Sequence, residues 1–249
     1  MTIPRFVQML ARASVRVARA VDDRVRAARV QRRLSLGADV PVLTVGDLGY
    51  GGYQLPERLL SERSVVLSAG AGTDVEFETC LVDRYGCRVL LVDPVPSSAA
   101  YVAEALAYEP RVEFRPLALW SADCELTFHE PVRAGFVSHS ATNMHGTPPV
   151  FTCGARSVAS LADEYHWPRI DLLKVSAEGS EFEILRHVVD ARVTVGALCV
   201  EFAQPTDPAK VMATIGELDS AGYALVAHSL RPRNWKMTFA AREPASTLR

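Results

Sequence analysis

Two apolar patterns alternate along the chain. Short unbroken runs at Ser64–Ala69, Arg88–Val92, Ile170–Val175 and Ala197–Phe202 have the length and the Val, Leu and Ile content of strands buried on both faces. Between them lie segments whose apolar residues recur every three or four positions, as expected of helices. These are Asp74–Tyr85, with Phe77, Cys80 and Leu81 on one side and Gly86 behind it, then Ser97–Tyr108, Ser180–Val189, and Pro208–Ala221 ending at Gly222. Val112–Leu119 reads as a third strand beside the first two. Tyr223–Ser229 and Trp235–Ala241 are separated only by a turn at Arg231–Asn234, so the last strand runs antiparallel. The pattern predicts an α/β fold built on a doubly wound, mostly parallel seven-stranded sheet, with ligands at the carboxyl ends of its strands.

Residues 1–40 form an extension ahead of the main domain, residues 41–249. Phe6, Leu10, Ala13, Val17, Val21, Val25 and Ala28 recur at helical spacing among nine arginines, with Thr2 and Pro4 suited to a helix start and Gly37 to its stop. Such a stripe packs on its own domain or on a second copy, so a homodimer through this helix is one partner reading. A membrane-surface or transit role is opposed by Asp22 and Asp23. Residues 131–155, rich in Gly, Pro, Ser, Thr and His, read as a long irregular insertion of the kind that is usually functional.

Composition narrows the function. Of 249 residues, 49% are hydrophobic and 22% charged, which excludes a disordered chain. Lys plus Arg number 27 against 29 Asp plus Glu, a formal charge of −2, so neither nucleic acid nor an anionic membrane is an expected partner. Five scattered cysteines without a C-x-x-C pair argue against a zinc knuckle or a disulfide framework and point to a reducing cytoplasm. No metal site is expected.

The strongest local signal is Val65–Asp74, a buried strand running into Gly70-Ala71-Gly72 and then a helix. Asp93 follows at the tip of the next strand, 23 residues after Gly70, where a carboxylate can accept from ribose hydroxyls. Together they specify an adenosine-type ligand. Val75 stands where a dinucleotide fingerprint has its third glycine, and Asp74 in the first helical turn opposes a diphosphate but suits a cation. S-adenosylmethionine is therefore favoured over a dinucleotide.

Several further segments occur in order: Tyr50-Gly51-Gly52-Tyr53, Leu67–Phe77, Asp93-Pro94, Pro116–Trp120, Val137-Ser138-His139-Ser140 and Ile170–Glu181. Across residues 42–241 this series resembles the FkbM-type family of S-adenosylmethionine-dependent methyltransferases. The resemblance implies a Rossmann-like class I methyltransferase domain. It implies that Tyr53, Ser68, Gly70, Gly72 and Asp74 surround the methionine part of the cofactor, that Asp93 holds its ribose, and that Ala118 and Leu119 lie near the adenine. Ser138, Ser140 and Asn143 would face the acceptor, a hydroxyl of a small molecule, sugar or natural product. Trp120 is read as core.

One departure bears on the chemistry. The family usually places an Asp at Ser176, and serine is no useful base unaided, so Ser176 keeps at most a cofactor contact. His139, Glu178 and Glu201 are the candidate bases, with His139 favoured. His139 sits in the loop with a side chain that ordinarily titrates near neutrality, and Glu201 ends a strand that opens into the ligand crevice. Glu178 reads equally well as the first-turn acid of a helix. A non-catalytic cofactor-binding relative and a nicotinamide-dependent oxidoreductase remain as alternatives.

Overall fold

The computed structural model describes residues 22–132, 136–231 and 234–242. Thr2, Pro4, Phe6, Leu10, Ala13, Val17 and Val21 lie outside the described residues, as do positions 232 and 233 of the expected last turn. In chain order the strands are β1 (Val42–Val45), β2 (Tyr53–Pro56), β3 (Val65–Ala69), β4 (Arg88–Val92), β5 (Val112–Arg115) and β6 (Ala118–Trp120), then β7 (Cys124–His129), β8 (Pro149–Ser157), β9 (Ile170–Val175), β10 (Val195–Ala203), β11 (Tyr223–Arg231) and β12 (Asn234–Ala241). The helices are α1 (described over residues 22–31), α2 (Glu76–Tyr85), α3 (Pro96–Ala105), α4 (Val158–Glu164), α5 (Glu181–Asp190) and α6 (Pro208–Ser220).

Seven strands form one sheet in the order β11-β12-β10-β9-β3-β4-β5. Only β12 opposes its neighbours, pairing antiparallel with both β10 and β11, while the other pairings are parallel. This is the Rossmann-like architecture with an antiparallel last strand that the apolar pattern implies. Register explains how one sheet serves two purposes. Leu67, Leu173, Leu198, Phe239 and Leu225 stand side by side across five strands and face the larger core, closed by Ala27 and Val30 of α1, Leu161 of α4, Ile184 and Leu185 of α5, and Val211 and Leu218 of α6. One residue further along each strand the side chains point the opposite way. There Ser68, Lys174, Cys199 and Thr238 form a polar row beneath α2 and the β1–β2 hairpin, within a second core built on Phe77, Leu81, Tyr53 and Leu55.

Four features differ from the sequence reading. The expected third strand is two: β5 stays in the main sheet, and after Pro116 the chain turns away so that β6 joins a three-stranded sheet, β6-β8-β7. The insertion is not irregular throughout, since Pro149–Ser157 pairs along β7. The segment around Pro41 contains β1, which with β2 forms a hairpin. In α1 the buried residues are Ala27 and Val30, whereas Val25 and Ala28 of the expected stripe are exposed. Both sets have helical spacing, and the phase is set by tertiary contacts. Arg26 donates to the Thr206 carbonyl beside Asp23, Leu34 packs on the larger core, and the amide of Gly37 bonds Leu225 at 2.8 Å. The described helix ends at residue 31, short of Gly37. No helix among the described residues is long and apolar enough to cross a membrane.

The small sheet is held to the large one by ionic contacts: Glu164 of α4 binds Arg115 of β5 at 2.5 Å and Arg156 of β8 at 2.8 Å. Where β3 ends, Gly70 has φ +93°, and a Cβ there would collide with the carbonyl oxygen of Ser176. Gly222 has the same φ with nothing within 4 Å. Gly222→Ala should therefore cost about 1–2 kcal/mol, the left-handed penalty alone. Gly70→Ala should exceed it by at least about 2 kcal/mol through overpacking, read from urea denaturation midpoints.

Candidate active site

The turn after β3 is clamped from two sides. Asp93, at the carboxyl end of β4 and 4% exposed, accepts the amides of Ala71 and Gly72 on Oδ2, both at 2.9 Å, and that of Val95 on Oδ1 at 2.8 Å. From below, Nζ of Lys174 donates to the Gly70 carbonyl and to Oε1 of Glu78, each at 2.9 Å. Ser68 donates to the same Glu78 oxygen at 2.5 Å, so its hydroxyl lies fully buried under the turn. The other Glu78 oxygen is buried without a partner. Breaking a buried pair of this kind by removing one member typically costs about 3–5 kcal/mol.

Around the turn, Asp74 accepts the Glu76 amide at 2.9 Å, and its second oxygen lies 2.6 Å from where a Cβ on Gly51 would sit. That contact brings the Tyr50–Tyr53 segment against the glycine turn. Tyr53 is 1% exposed, packs edge-on to Phe77 with centroids 5.3 Å apart, and leaves its hydroxyl unpartnered. Burial, then the charges of Glu201 and Glu78 among others, push its phenol well above the usual value, so Tyr53 stays neutral.

The next two strands each end in a carboxylate. Ser176 follows β9, its amide bonding Ala69 at 3.0 Å. Glu201, near the end of β10, faces Lys236 at 3.9 Å, and the nearby Ser176 and Asn234 side chains favour its ionised form. Burial raises its pKa, which Lys236 and Lys174 partly offset. Glu178 is raised by burial and then by the charge of Glu201, against a lowering hydrogen bond from Ser138. Its backbone is left-handed at φ +45°, an uncommon state for a non-glycine residue. The edge thus carries one carboxylate on each of four adjacent parallel strands: Asp74 after β3, Asp93 after β4, Glu178 after β9 and Glu201 in β10.

The loop between β7 and β8 covers this edge. Ser140 donates to the Glu178 carbonyl at 2.7 Å and exchanges backbone bonds with His129 at the end of β7. Val137 lies 3.3 Å from a Cβ position on Gly72, and Thr142 lies 2.5 Å from one on Gly179. His139 contacts its own loop, Nδ1 on the Val137 carbonyl at 3.2 Å and its ring 5.5 Å from Phe151. Asn143, at φ +49°, accepts the Thr147 amide and shapes the loop itself. Ala118 and Leu119 are both buried, Ala118 with Phe128 and Ala155 in the small sheet's cluster and Leu119 in the larger core, so the Leu119 side chain is structural. Trp120 packs partly buried on the small cluster. Ser138, Ser140, Ser176, Glu178 and Glu201 are brought together; His139 and Asn143 are turned to their own loop.

No family model matches the sequence, and no curated protein matches it. Solved structures share its general shape at low identity. The fibrillarin pre-rRNA processing protein of Methanococcus jannaschii is 10% identical, with a TM-score of 0.45 over 73% of this chain and 67% of that one. An rRNA methylase from Streptococcus thermophilus is 13% identical, at 0.45 over 74% and 90%. Aeropyrum pernix fibrillarin, solved with natively bound S-adenosyl-L-methionine, is 14% identical, at 0.45 over 74% and 68%. Likeness this distant transfers no residue role and no ligand. Among the described residues no group of three or more His, Cys, Asp and Glu is placed to hold a metal ion.

Glu78, Lys236 and Glu181 are site residues that the sequence reading did not single out. A signal for Lys236 is present, because only Lys174, Lys210 and Lys236 are lysines in a chain whose other strong cations are arginines, and two of the three interrupt buried strands. Glu181, fully buried, accepts the amides of Gly179 at 2.7 Å and Ala203 at 3.0 Å, tying the turn after β9 to the end of β10. Burial outweighs those bonds and pushes its pKa up to about 7. The folded protein therefore holds a proton there that the unfolded chain releases near 4.5, so stability contributed below that value is lost as pH rises through about 7. Wild-type stability should fall by up to about 3 kcal/mol across that window, and Glu181→Gln should flatten the slope in urea denaturation.

Proposed function

We propose that this protein transfers a methyl group from S-adenosylmethionine to a hydroxyl of a small molecule. The observation that carries the reading is the acidic carboxyl edge, where Asp74, Asp93, Glu178 and Glu201 surround a glycine turn while Lys174 is taken up by Glu78 and Lys236, shared between two backbone carbonyls and Glu201, offsets part of the charge. Such an edge suits a cationic donor and opposes the diphosphate of a dinucleotide or the phosphates of RNA.

The residues present fit the cofactor. Asp93 has three of its roughly four acceptor positions filled, leaving one on Oδ1 for a ribose hydroxyl. The unpartnered Tyr53 hydroxyl and the Asp74 carboxylate complement the amino-acid end. When bound, S-adenosylmethionine supplies a methyl group on a positive sulfur, ready for in-line attack. The chain's own work is to orient the acceptor and remove its proton.

Glu201 takes that proton in this reading. Its carboxylate lies near Ser176, the position after β9, and burial raises its proton affinity. Ser176 thus presents a base in place of being one, which favours an active enzyme over a silent relative. Glu178 and the Ser138 hydroxyl provide hydrogen-bonding groups for a hydroxylated acceptor, while the buried Ser140 hydroxyl fixes the covering loop to the Glu178 carbonyl.

Two measurements test the reading. Isothermal calorimetry should show S-adenosylhomocysteine binding that Asp93→Ala weakens at least about tenfold, through loss of charge-assisted bonds and of the turn they hold; tight NAD binding with none of the homocysteine product would overturn it. With labelled donor and a panel of hydroxylated acceptors, Glu201→Gln should lower transfer about 10²-fold or more while sparing product-cofactor affinity. His139→Ala should cost less than about tenfold in the same assay.

A further inference from the structure

Lys236 lies in the interior of β12, directly opposite Glu201 in the antiparallel pairing with β10, and is 3% exposed. Its ammonium donates to the carbonyl of Tyr50 and, at 3.0 Å, to that of Gly52. It also stands 3.9 Å from Oε2 of Glu201 and 4.8 Å from the centroid of the Tyr53 ring. An ammonium has three protons; two serve the carbonyls of one turn, and the third is available toward the carboxylate. Lys174 cannot replace it, being engaged by Glu78 and Gly70 at 2.9 Å each.

We propose that Lys236 is the positioning residue of the candidate base: one buried ammonium holds the Glu201 carboxylate in place and ties the Tyr50–Tyr53 turn to the last strand. The importance of Glu201 rests on the transferase reading above; the coupling itself rests on the contacts alone. Because Gly51 of that turn lies against Asp74, the same cation links the acceptor side of the edge to its donor side. A lysine suits the task better than an arginine, since a compact charge with three donors fits between two carbonyls and a ring where a planar fork does not.

The groups acting on this pair come from β9 and the residues after it, from β10 and β12, and from the turn before β2. Lys174 from β9, Asn234 from β12 and Ser176 after β9 all favour ionised Glu201, and the Glu178 carboxylate interacts with it. On Lys236, burial lowers the pKa and Glu201 raises it, followed by Lys174, which lowers it, and by Asp47 and Cys199, which raise it.

The test uses the full chain with δ-13C-labelled glutamate, titrated by NMR, with Glu201→Gln identifying the Glu201 signal. In Lys236→Met the Glu201 midpoint should rise by about one pH unit or more, and Lys236→Arg, whose planar fork does not fit the site, should restore only part of it. A midpoint unchanged in Lys236→Met overturns the proposal. Should that variant fail to fold, the reciprocal titration decides: with ε-13C lysine, of which the chain has three, Glu201→Gln should lower the Lys236 midpoint, and an unmoved midpoint overturns the coupling. Neither titration contains a methyl donor or acceptor, so its failure is read separately from failure of the transferase reading.

Discussion

Asp93 spreads one carboxylate over three peptide N–H groups, two of them in the turn that ends β3, and the rest of the site depends on that interaction. Bonds from amides to an ionised acceptor are roughly twice as strong as neutral ones, and here they are shielded from water. Lys174 holds the carbonyl of Gly70 from the opposite side. Both side chains are fixed by their strands, one at the tip of β4 and one inside β9, so the turn inherits the rigidity of the sheet. The close approach of Gly70 to Ser176 then sets how near the ends of β3 and β9 lie, and with that where Glu178 and Glu201 stand.

Electrostatics gives this edge its character. Four carboxylates gathered at the ends of adjacent parallel strands repel one another, and burial raises the proton affinity of Glu178 and Glu201 further. The fold tolerates this because serine hydroxyls and backbone amides supply hydrogen bonds, and because two lysines lie among these strands. Those lysines moderate the charge without cancelling it. In the proposed reading this edge receives a cationic donor and keeps a carboxylate to accept a proton.

How much of this the sequence disclosed follows from how strong each pattern is. Apolar, largely buried runs such as Val65–Ala69 and Ile170–Val175 name their strands directly, and the spacing from Gly70 to Asp93 locates the turn and its acid. β7 and β8 are missed because their residues alternate between partial burial and exposure and carry Pro149 and Gly154, which read as loop. The four-residue strands of the β1–β2 hairpin lie between prolines and carry too short a pattern. Glu178 and Glu201 are visible as acids after strands, but their association with each other and with Ser176 is a matter of register between β9 and β10. The buried role of Ser68 likewise depends on Glu78, ten residues away on α2.

The turn clamped by Asp93 is the proposed place of the donor. Following the backbone amide resonances of the intact protein as S-adenosylhomocysteine is added tests this. With the donor at that turn, the Ala71, Gly72 and Val95 amides shift together and saturably, while amides at the opposite end of the sheet, such as Tyr223 and Val195, remain still. A saturable response centred elsewhere, with the Ala71 and Gly72 amides unmoved, would contradict it.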